Sequence, residues 1–450
     1  MELKDKRVLV VGLGKSGVAS ALFLKARGAR VTVSDTKSGD ELRNEIPALL
    51  DHGIAVETGG HGERTFRGQD LIVVSPGVPI DAPLLAQARN LGEPVIGEIE
   101  LAAQFLPGPI VAITGSNGKT TTTTLTGEIL TAGGVPALVG GNIGTPAISL
   151  VEQAKPETVI VLEVSSFQLE TIQQFRSKVA VVLNVTPDHL DRHKTFEIYV
   201  DAKARIFENQ RGDDFAVLNE DDPTCVAMAA RTRAQVFWFS RQKDVKQGAW
   251  VRDGNILFRN GSRQEEIMRV AEVPLKGSHN LENVLAAVCA SALMGCAPEK
   301  IRQAVRDFKA VEHRLEFVAT IRGVDYYNDS KATNVDATIK ALESFPANIH
   351  LILGGKDKGS DYSVLNDLIK QRVKRVYTIG AAAEKIESQI KGVEVVHAET
   401  LENALRKADA AAEPGDVVLL APACASFDQF KNYEQRGQVF KEIVRQIVQR

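Results

Sequence analysis

The sequence predicts an α/β protein of three domains, because three kinds of pattern follow one another along its 450 residues. Short runs rich in Val and Ile alternate with helical patterns toward both ends, as in parallel sheets with crossover helices. Apolar runs in the middle third are continuous, as in strands buried on both faces of a sheet. A chain of this length also exceeds what one hydrophobic core usually supports.

The first domain is predicted over residues 1–98 and is Rossmann-like. Strands are expected at RVLVVG, RVTVSD, IAVETG, LIVVSPG and PVIGE, and helices at VASALFLKARG, DELRNEIPALLDHG and APLLAQARNLG. Because strands and helices alternate, the sheet should be parallel. Pro107, Gly108 and Pro109 then interrupt the pattern, which indicates a change of structural unit.

The second domain, predicted over 99–310, begins with the strand PIVAIT, a glycine loop and a long helix, the order found in P-loop ATPases. TVIVLEV and VAVVLNV are apolar throughout and should be buried strands. QGAWVRDGNILFRNGSRQEEIMRV contains the turn pairs Asp253-Gly254 and Asn260-Gly261, which predict an antiparallel portion. HNLENVLAAVCASALMGC and APEKIRQAVRDF should follow as helices, the second with Pro298 near its start.

The third domain, predicted over 311–450, is again Rossmann-like. IHLILGG, RVYTIG and DVVLLAPA are the expected strands, and LNDLIKQRV and LENALRKADAAA are the expected helices. The alternation predicts a second parallel sheet.

Composition and charge exclude several classes of protein. Lys and Arg number 54 against 57 Asp and Glu, so the net charge of -3 gives no broad attraction to nucleic acid or an anionic membrane. We expect no secretion signal, because the first residues lead into a strand and not an apolar core, and the apolar stretches fall short of the roughly 20 residues that a spanning helix needs. Cys225, Cys289, Cys296 and Cys424 form no C-x-x-C, so we expect buried, reduced thiols in a cytosolic protein.

ITGSNGKTT is a candidate phosphate-binding loop, because it follows a buried strand and precedes a helix. Glycines let the backbone approach an anion, and the helix N-terminus favours negative charge. The standard spacing would place a glycine at Ile113, so this loop is a shorter variant. Lys119 would reach the β- and γ-phosphates and Thr120 would bind Mg²⁺. The candidate loop residues are Gly115, Ser116, Asn117, Gly118, Lys119, Thr120 and Thr121.

Two further side chains are candidates for the metal site. Glu163 ends the strand TVIVLEV, and His189 follows the strand VAVVLNV in NVTPDHLDRH. Magnesium bound to a nucleotide needs oxygen ligands, which Glu163 can supply. His189, taken alone, could equally be a structural hydrogen-bonding residue.

The N-terminal motif VGLGKSG raises a different possibility. Gly12, Gly14 and Gly17 form G-x-G-x-x-G after a strand, and Asp35 ends the next strand. This spacing is close to the dinucleotide fingerprint, so an NAD site is a reasonable prediction from these residues.

The motifs TGSNGKTTT, EVSSFQLE, NVTPDHLDRH, GSHNLENVLAA, HRLE and NDSKATN occur here in the order seen in the Mur ligases, and the chain resembles that family throughout its length. The resemblance implies an ATP-dependent amino-acid ligase of peptidoglycan precursor synthesis, with roles in cell-wall biogenesis, cell shape and cell division. It implies UDP-N-acetylmuramoyl-L-alanine and D-glutamate as substrates, and a cytoplasmic monomer.

The resemblance assigns the N-terminal glycines to the UDP part of the substrate instead of NAD. NAD and the UDP group both present a diphosphate to a helix N-terminus, so the same loop suits either ligand. The positions matching the family's UDP-substrate residues are Gly14, Ser16, Asp35, Thr36, Ser75 and Asn142.

ATP and two Mg²⁺ ions are the implied cofactors. The resemblance gives Thr120 and Glu163 to the first ion, and His189 to the second together with Lys203, which in the family carries a carbamate formed with CO₂. Carbamate formation needs a neutral amine and therefore a lowered pKa. The nucleotide-side positions beyond the loop are Asn280, Asn283, Arg314, Asp329 and Lys331.

The D-glutamate site is implied at Lys331, Thr333, Lys358, Ser426 and Tyr433, where cations and hydroxyls suit two carboxylates. Tyr433 stands where the family leads us to expect phenylalanine, and Lys356 could replace Lys358. Because these residues and the phosphate loop lie in different segments, we expect domain closure during the reaction.

Three alternatives remain at this point. The chain could add another amino acid to a UDP-muramoyl peptide. It could be an NAD-dependent oxidoreductase built on the first domain, although that would leave GKT, Glu163 and His189 unexplained. It could also be a P-loop ATPase that acts as a switch or binds a partner.

Overall fold

The N-terminal sheet is formed where the sequence alternates apolar strands with helices. The computed structural model describes residues 1–309 and 311–448. The five strands are all parallel, in the order β3-β2-β1-β4-β5. The elements are β1 (Arg7–Val11), α1 (Lys15–Ala26), β2 (Arg30–Ser34), α2 (Ile46–Asp51), β3 (Ala55–Glu57), α3 (Glu63–Phe66), β4 (Leu71–Val74), α4 (Pro83–Asn90), β5 (Val95–Gly97) and α5 (Glu98–Ala103).

The second sheet has nine strands in the order β14-β13-β12-β11-β10-β9-β6-β8-β7. Its strands are β6 (Ile110–Thr114), β7 (Ala137–Gly141), β8 (Val159–Glu163), β9 (Val179–Val182), β10 (Phe215–Asn219), β11 (Gln235–Ser240), β12 (Gly248–Arg252), β13 (Asn255–Asn260) and β14 (Arg263–Arg269). The helices in this part of the chain are α6 (Lys119–Ala132), α7 (Ser166–Leu169), α8 (Leu190–His193), α9 (Phe196–Ala204), α10 (Pro223–Met228), α11 (Ser278–Leu293) and α12 (Pro298–Asp307).

Two sequence predictions for this sheet are confirmed. Every residue of β6, β8 and β9 is buried, as expected for strands covered on both faces. β12, β13 and β14 pair antiparallel. The turn between β12 and β13 consists of Asp253 and Gly254, both with positive φ, the conformation that two-residue hairpin turns favour.

The third sheet has six strands in the order β15-β16-β20-β17-β18-β19. Its strands are β15 (Glu316–Ile321), β16 (Val324–Asn328), β17 (Ile349–Gly354), β18 (Val373–Ile379), β19 (Glu394–Glu399) and β20 (Val417–Leu420). The helices are α13 (Val335–Glu343), α14 (Asn366–Arg372), α15 (Ala383–Gln389), α16 (Leu401–Ala411) and α17 (Tyr433–Val448). Separate apolar cores cover its two faces.

Two elements differ from the sequence prediction. The helix expected over DELRNEIPALLDHG is confined to α2, because Pro47 lacks a backbone N–H and is tolerated only in the first turn of a helix. The third sheet is not wholly parallel, since β15 pairs antiparallel with β16 through a turn at Arg322 and Gly323, both with positive φ.

The chain divides into two compact units. The first consists of Met1–Val270 and Asn283–Val305, and the second of Ala271–Glu282 and Arg306–Arg450. One continuous apolar core in the first unit includes Val10, Ile99 and Ile160. The boundary expected at residue 98 therefore stays a prediction, and the one expected at residue 310 lies outside the described residues.

All four cysteines are free and buried, as expected from the sequence. Within residues 1–309 and 311–448, no helix combines the length and apolar character required to cross a membrane.

Candidate active site

The predicted phosphate loop connects the buried strand β6 to the N-terminus of α6. Gly118 precedes the first turn of α6 with φ of 85°, and a Cβ there would lie 2.1 Å from Asn283 Oδ1. The Asn117 N–H donates to Asn184 Oδ1 at 2.8 Å, which fixes the loop from its other side. Only glycine fits position 118, and the resulting turn leaves a 14-residue helix with its N-terminus at the loop.

The Nζ atoms of two lysines meet at one backbone carbonyl of this loop. Lys119 Nζ donates to Gly115 O at 2.8 Å and to Ser116 O at 2.9 Å. Lys203 Nζ, from α9, donates to the same Gly115 oxygen at 2.8 Å. Lys119 therefore places positive charge where a polyphosphate would bind.

Lys203 is the most deeply buried of the predicted site residues. Its side chain is 1% exposed and lies with Nζ 4.6 Å from the centre of the Tyr199 ring. Burial, followed by repulsion from Lys119, lowers the pKa of Lys203 well below its ordinary value, while Asp188 and Glu163 oppose the shift. A neutral amine is thus favoured, as carbamate formation requires.

Thr120 and Glu163 lie together at the start of α6. Thr120 Oγ1 donates to Glu163 Oε2 at 2.8 Å, and Asn142 Nδ2 donates to Glu163 Oε1 at 2.9 Å. Glu163 is 3% exposed at the end of β8. A hydroxyl and a carboxylate beside a phosphate loop are oxygen donors of the type that Mg²⁺ prefers. Asn142, predicted as a UDP-substrate residue, lies against Glu163 and not in the N-terminal cleft described below.

His189 adopts a backbone conformation that is uncommon for a residue with a side chain. Its φ is 54°, in the left-handed region, and its ring lies 5.0 Å from the Phe167 ring in an edge-to-face arrangement. Its own N–H donates to Asp188 Oδ1 at 2.9 Å. Among the described residues, no three His, Cys, Asp or Glu side chains form a cluster that could hold a metal ion.

The remaining loop positions have mainly structural contacts. Ser116 Oγ donates to Thr186 O at 2.9 Å and lies 3.1 Å from Tyr199 OH. Thr121 is buried in α6. Asn280 lies within the first turn of α11, and its Nδ2 donates to Lys276 O at 2.7 Å.

A cleft of about 370 Å³ opens at the carboxyl ends of β1, β2 and β4. A Cβ at Gly17 would lie 1.9 Å from Gly12 O, so the glycine motif allows α1 to pack directly on the loop after β1. Ser75 Oγ donates to Gly12 O at 2.8 Å and holds the opposite wall. Five of the six predicted UDP-substrate residues line this cleft: Gly14, Ser16, Asp35, Thr36 and Ser75.

Both carboxylate oxygens of Asp35 accept backbone hydrogen bonds. Leu13 N donates to Oδ2 at 2.6 Å and Lys37 N donates to Oδ1 at 2.8 Å. Among the other residues that line the cleft, three have titratable side chains that were not predicted from the sequence, namely Lys15, Lys37 and His61. Lys15 and Lys37 could have been predicted because they adjoin the predicted residues Ser16 and Thr36. His61 could not, because it reaches the cleft only through the pairing of β3 with β2.

The predicted amino-acid site in the second compact unit is built from three neighbouring loops. Lys331 and Thr333 follow β16, Ser426 follows β20, and Lys358 follows β17, and these three strands are adjacent in the sheet. The carboxyl ends of adjacent parallel strands meet at one edge, so the sheet order brings these loops together. Lys331 Nζ lies 3.6 Å from the centre of the Tyr433 ring. Lys358 is exposed.

Asp329 lies at the start of the loop after β16. Its desolvated surroundings raise the pKa of its carboxyl to about 6, while Arg314 and the Leu315 N–H act in the opposite direction. Leu315 N donates to Asp329 Oδ1 at 3.2 Å.

Arg436 is a buried residue that the sequence did not single out. It is 1% exposed and its guanidinium donates to Ser330 Oγ, Ser330 O and Cys424 O at 3.0, 2.9 and 3.1 Å. Burial lowers its pKa to about 10. It therefore ties the loop after β16 to the loop after β20.

Three family models cover most of the chain. Residues 6–97 match the MurD-like N-terminal domain of Mur ligases, residues 113–291 match the Mur ligase middle domain, and residues 313–424 match the Mur ligase glutamate ligase domain.

Individual proteins agree with these models. The chain is 68% identical over 449 residues to UDP-N-acetylmuramoylalanine–D-glutamate ligase of Koribacter versatilis (strain Ellin345), covering 100% of this chain and 99% of that protein. It is 62% identical over 447 residues to the protein of the same name from Acidobacterium capsulatum, covering 99% and 97%.

The fold agrees as well. The crystal structure of UDP-N-acetylmuramate-alanine ligase MurC from Thermotoga maritima superimposes with a TM-score of 0.61 at 19% identity, covering 98% of this chain and 100% of that chain. From its three domain matches and its full-length relatives, the chain belongs to the Mur ligase family, with an N-terminal domain of the MurD-like type.

Proposed function

We propose that this protein joins D-glutamate to UDP-N-acetylmuramoyl-L-alanine, using ATP and releasing ADP and phosphate, in peptidoglycan precursor synthesis. The observation that carries this proposal is the full-length, 68% identical match to a relative named for that reaction. A free carboxylate does not condense with an amine at neutral pH, so the reaction must begin by activating it.

In the first step, a carboxylate oxygen of UDP-N-acetylmuramoyl-L-alanine attacks the γ-phosphorus of ATP. The bond between that phosphorus and the β–γ bridging oxygen breaks, leaving ADP and an acyl phosphate. Two anions approach each other in this step, so nearby cations lower its barrier. The Lys119 ammonium, which lies on the loop carbonyls, and the N-terminus of α6 support this role.

Two Mg²⁺ ions would supply further positive charge to the triphosphate. The hydrogen-bonded oxygens of Thr120 and Glu163 suit one ion. For the other, we infer His189 together with Lys203. The neutral Lys203 amine would attack the carbon of CO₂ and lose a proton, giving a carbamate anion in place of a cation. The lowered pKa of Lys203 supports this inference.

In the second step, the amine of D-glutamate attacks the acyl carbon. A tetrahedral intermediate forms, phosphate leaves with the electrons of the C–O bond, and the nitrogen loses a proton to become an amide. We assign the two carboxylates of D-glutamate to the set Lys331, Thr333, Lys358, Ser426 and Tyr433. The convergence of their loops after β16, β17 and β20 supports this assignment.

The UDP part of the substrate is assigned to the cleft after β1, β2 and β4. Gly14, Ser16, Asp35, Thr36 and Ser75 line it, and its volume of about 370 Å³ suits a nucleotide. On the nucleotide side we assign Asn280, Asn283, Arg314, Asp329 and Lys331 to ATP.

We further propose that the enzyme is a cytoplasmic monomer and supports cell division through cell-wall synthesis. The net charge of -3 supports a role without membrane attachment. We keep the domain boundaries 1–98, 99–310 and 311–450 as part of the proposal.

The proposed function is tested by measuring ADP release with UDP-N-acetylmuramoyl-L-alanine against D-glutamate, L-glutamate, D-aspartate and L-lysine. Turnover should require D-glutamate and stay at background with the other three. Turnover with L-lysine, or ATP hydrolysis that ignores the amino acid, would contradict the proposal.

A further inference from the structure

Three polar side chains, Glu57, Ser34 and His61, are hydrogen-bonded in series between the ends of β2 and β3 and the cleft. Ser34, the last residue of β2, is fully buried and its Oγ donates to Glu57 Oε2 at 2.9 Å. The same Oγ lies 2.7 Å from His61 Nδ1. Glu57 ends β3, and His61 lies on the loop that follows and lines the cleft.

The proton positions in this hydrogen-bonded series follow from counting the donors and acceptors of its three side chains. A carboxylate only accepts, and Glu57 Oε1 already accepts from Gly62 N at 3.2 Å and Thr65 Oγ1 at 3.1 Å. The single Ser34 hydroxyl proton therefore goes to Glu57, so Ser34 Oγ must accept from His61. The neutral His61 ring then carries its proton on Nδ1, which leaves Nε2 as an acceptor.

The His61 loop is hydrogen-bonded to the loop after β2, which also lines the cleft. Gly59 N donates to Lys37 O at 2.7 Å, Gly60 N to Asp35 O at 3.3 Å, and Asp35 N to Glu57 O at 3.0 Å. The Phe66 ring packs edge-to-face on the imidazole, with centroids 5.6 Å apart. Within the described residues, His61 Nε2 has no hydrogen-bond partner, so this acceptor is available to a ligand in the cleft.

We propose that His61 determines specificity in the cleft, its Nε2 accepting a hydrogen bond from an O–H or N–H donor of a bound nucleoside. Lys15 and Lys37 supply the positive charge that phosphates require, and each Asp35 oxygen accepts one backbone bond. His61 Nε2 adds a second side-chain acceptor to the cleft, one that complements a ribose hydroxyl or a ring N–H. This inference rests on the proposed function, which puts a uridine diphosphate group in this cleft.

The test measures binding of UDP and of uridine to the full chain, by calorimetry and by ligand-observed NMR competition. His61→Asn is the informative variant, because its amide nitrogen can still reach Ser34 while the acceptor at the Nε2 position is lost. His52→Asn is the matched control, since His52 is exposed and its Nδ1 lies 2.7 Å from Ala48 O of its own helix, outside the residues that line the cleft.

One lost hydrogen bond should weaken both ligands by the same factor, about 3- to 10-fold, with His52→Asn unchanged. Unchanged UDP affinity in His61→Asn would overturn the proposal. A loss for UDP with none for uridine would overturn it too, because it would indicate a phosphate contact. Failure of the unmodified chain to bind UDP would instead contradict the proposed function.

A spectroscopic readout separates this role from a purely structural one. In ¹⁵N-labelled protein, His61 should show a protonated Nδ1 and an unprotonated Nε2, and Ser34→Ala should shift that tautomer balance. An Nε2–H form in the unmodified protein would contradict the donor count.

Discussion

Replacing Lys203 by methionine should stabilise the protein at neutral pH while abolishing its activity. Lys119 Nζ and Lys203 Nζ each lie 2.8 Å from Gly115 O, so they are at most twice that distance apart. At an effective dielectric constant of about 20, keeping both charges at that limit would cost about 3 kcal/mol, so the fold at neutral pH bears either that cost or the smaller cost of removing the Lys203 proton. Losing the hydrogen bond to Gly115 O costs about 1 kcal/mol, so Lys203→Met should gain up to about 2 kcal/mol.

The sign of the pH dependence follows from the lowered pKa of Lys203. Between that lowered pKa and the ordinary lysine value, the unfolded chain binds more protons than the folded chain, so wild-type stability rises with pH. The methionine variant lacks this slope, and the two proteins should converge at alkaline pH.

The assay is thermal denaturation between pH 7 and pH 10 in buffer depleted of CO₂, paired with an ADP-release assay. At pH 7 the variant should melt up to about 4 °C higher. Lys300→Met, a change at an exposed lysine of α12, is the control and should alter neither stability nor activity. A Lys203→Met variant that is active, or whose stability curve runs parallel to that of the wild type, would refute the reasoning.

Three further predictions concern the same unit. Lys119→Ala should abolish phosphate release with unchanged circular dichroism, whereas full activity would contradict the proposed ATP site. Gly118→Ala should lose ATP binding and at least about 1 kcal/mol of stability, because its φ is 85° and its Cβ would meet Asn283; unchanged ATP affinity would count against the loop geometry. Glu98, 1% exposed, has a pKa raised to about 7 by burial, partly offset by a hydrogen bond from Ile148 N. The stabilising contribution of the protonated Glu98 carboxyl is complete below pH 4.5 and is lost as the pH rises through 7, so Glu98→Gln should be about 3 kcal/mol more stable at pH 8 and equal at pH 4 in urea unfolding; equal stability at pH 8 would contradict this.

The positions of strands along the chain could be predicted from the sequence, but the order of those strands within each sheet could not. Continuous apolar runs identified β6, β8 and β9, and the Asp253-Gly254 pair identified a hairpin, because both signals are local. The β15–β16 hairpin was missed because its turn, Arg322-Gly323, is not among the strongest turn pairs, and β15 is only partly buried. Neither the nine-strand order of the second sheet nor the place of β20 between β16 and β17 can be derived from local patterns.

The candidate site was predicted where residues lie in contiguous motifs. The loop after β6 and the glycines after β1 are read directly from spacing, and the structure gives both the expected strand and helix. His61 and Arg436 were not predicted, since each acts through contacts with residues distant in sequence. Asn142, assigned to the UDP-linked substrate by resemblance, donates to Glu163, and its substrate-binding role stays a prediction.

The central claim is that the substrate carboxylate is phosphorylated before the amino acid attacks it. It is tested most directly by labelling that carboxylate of UDP-N-acetylmuramoyl-L-alanine with ¹⁸O and analysing the released phosphate by mass spectrometry. The account predicts one ¹⁸O atom in each phosphate formed. Phosphate free of label during D-glutamate-dependent turnover would contradict it.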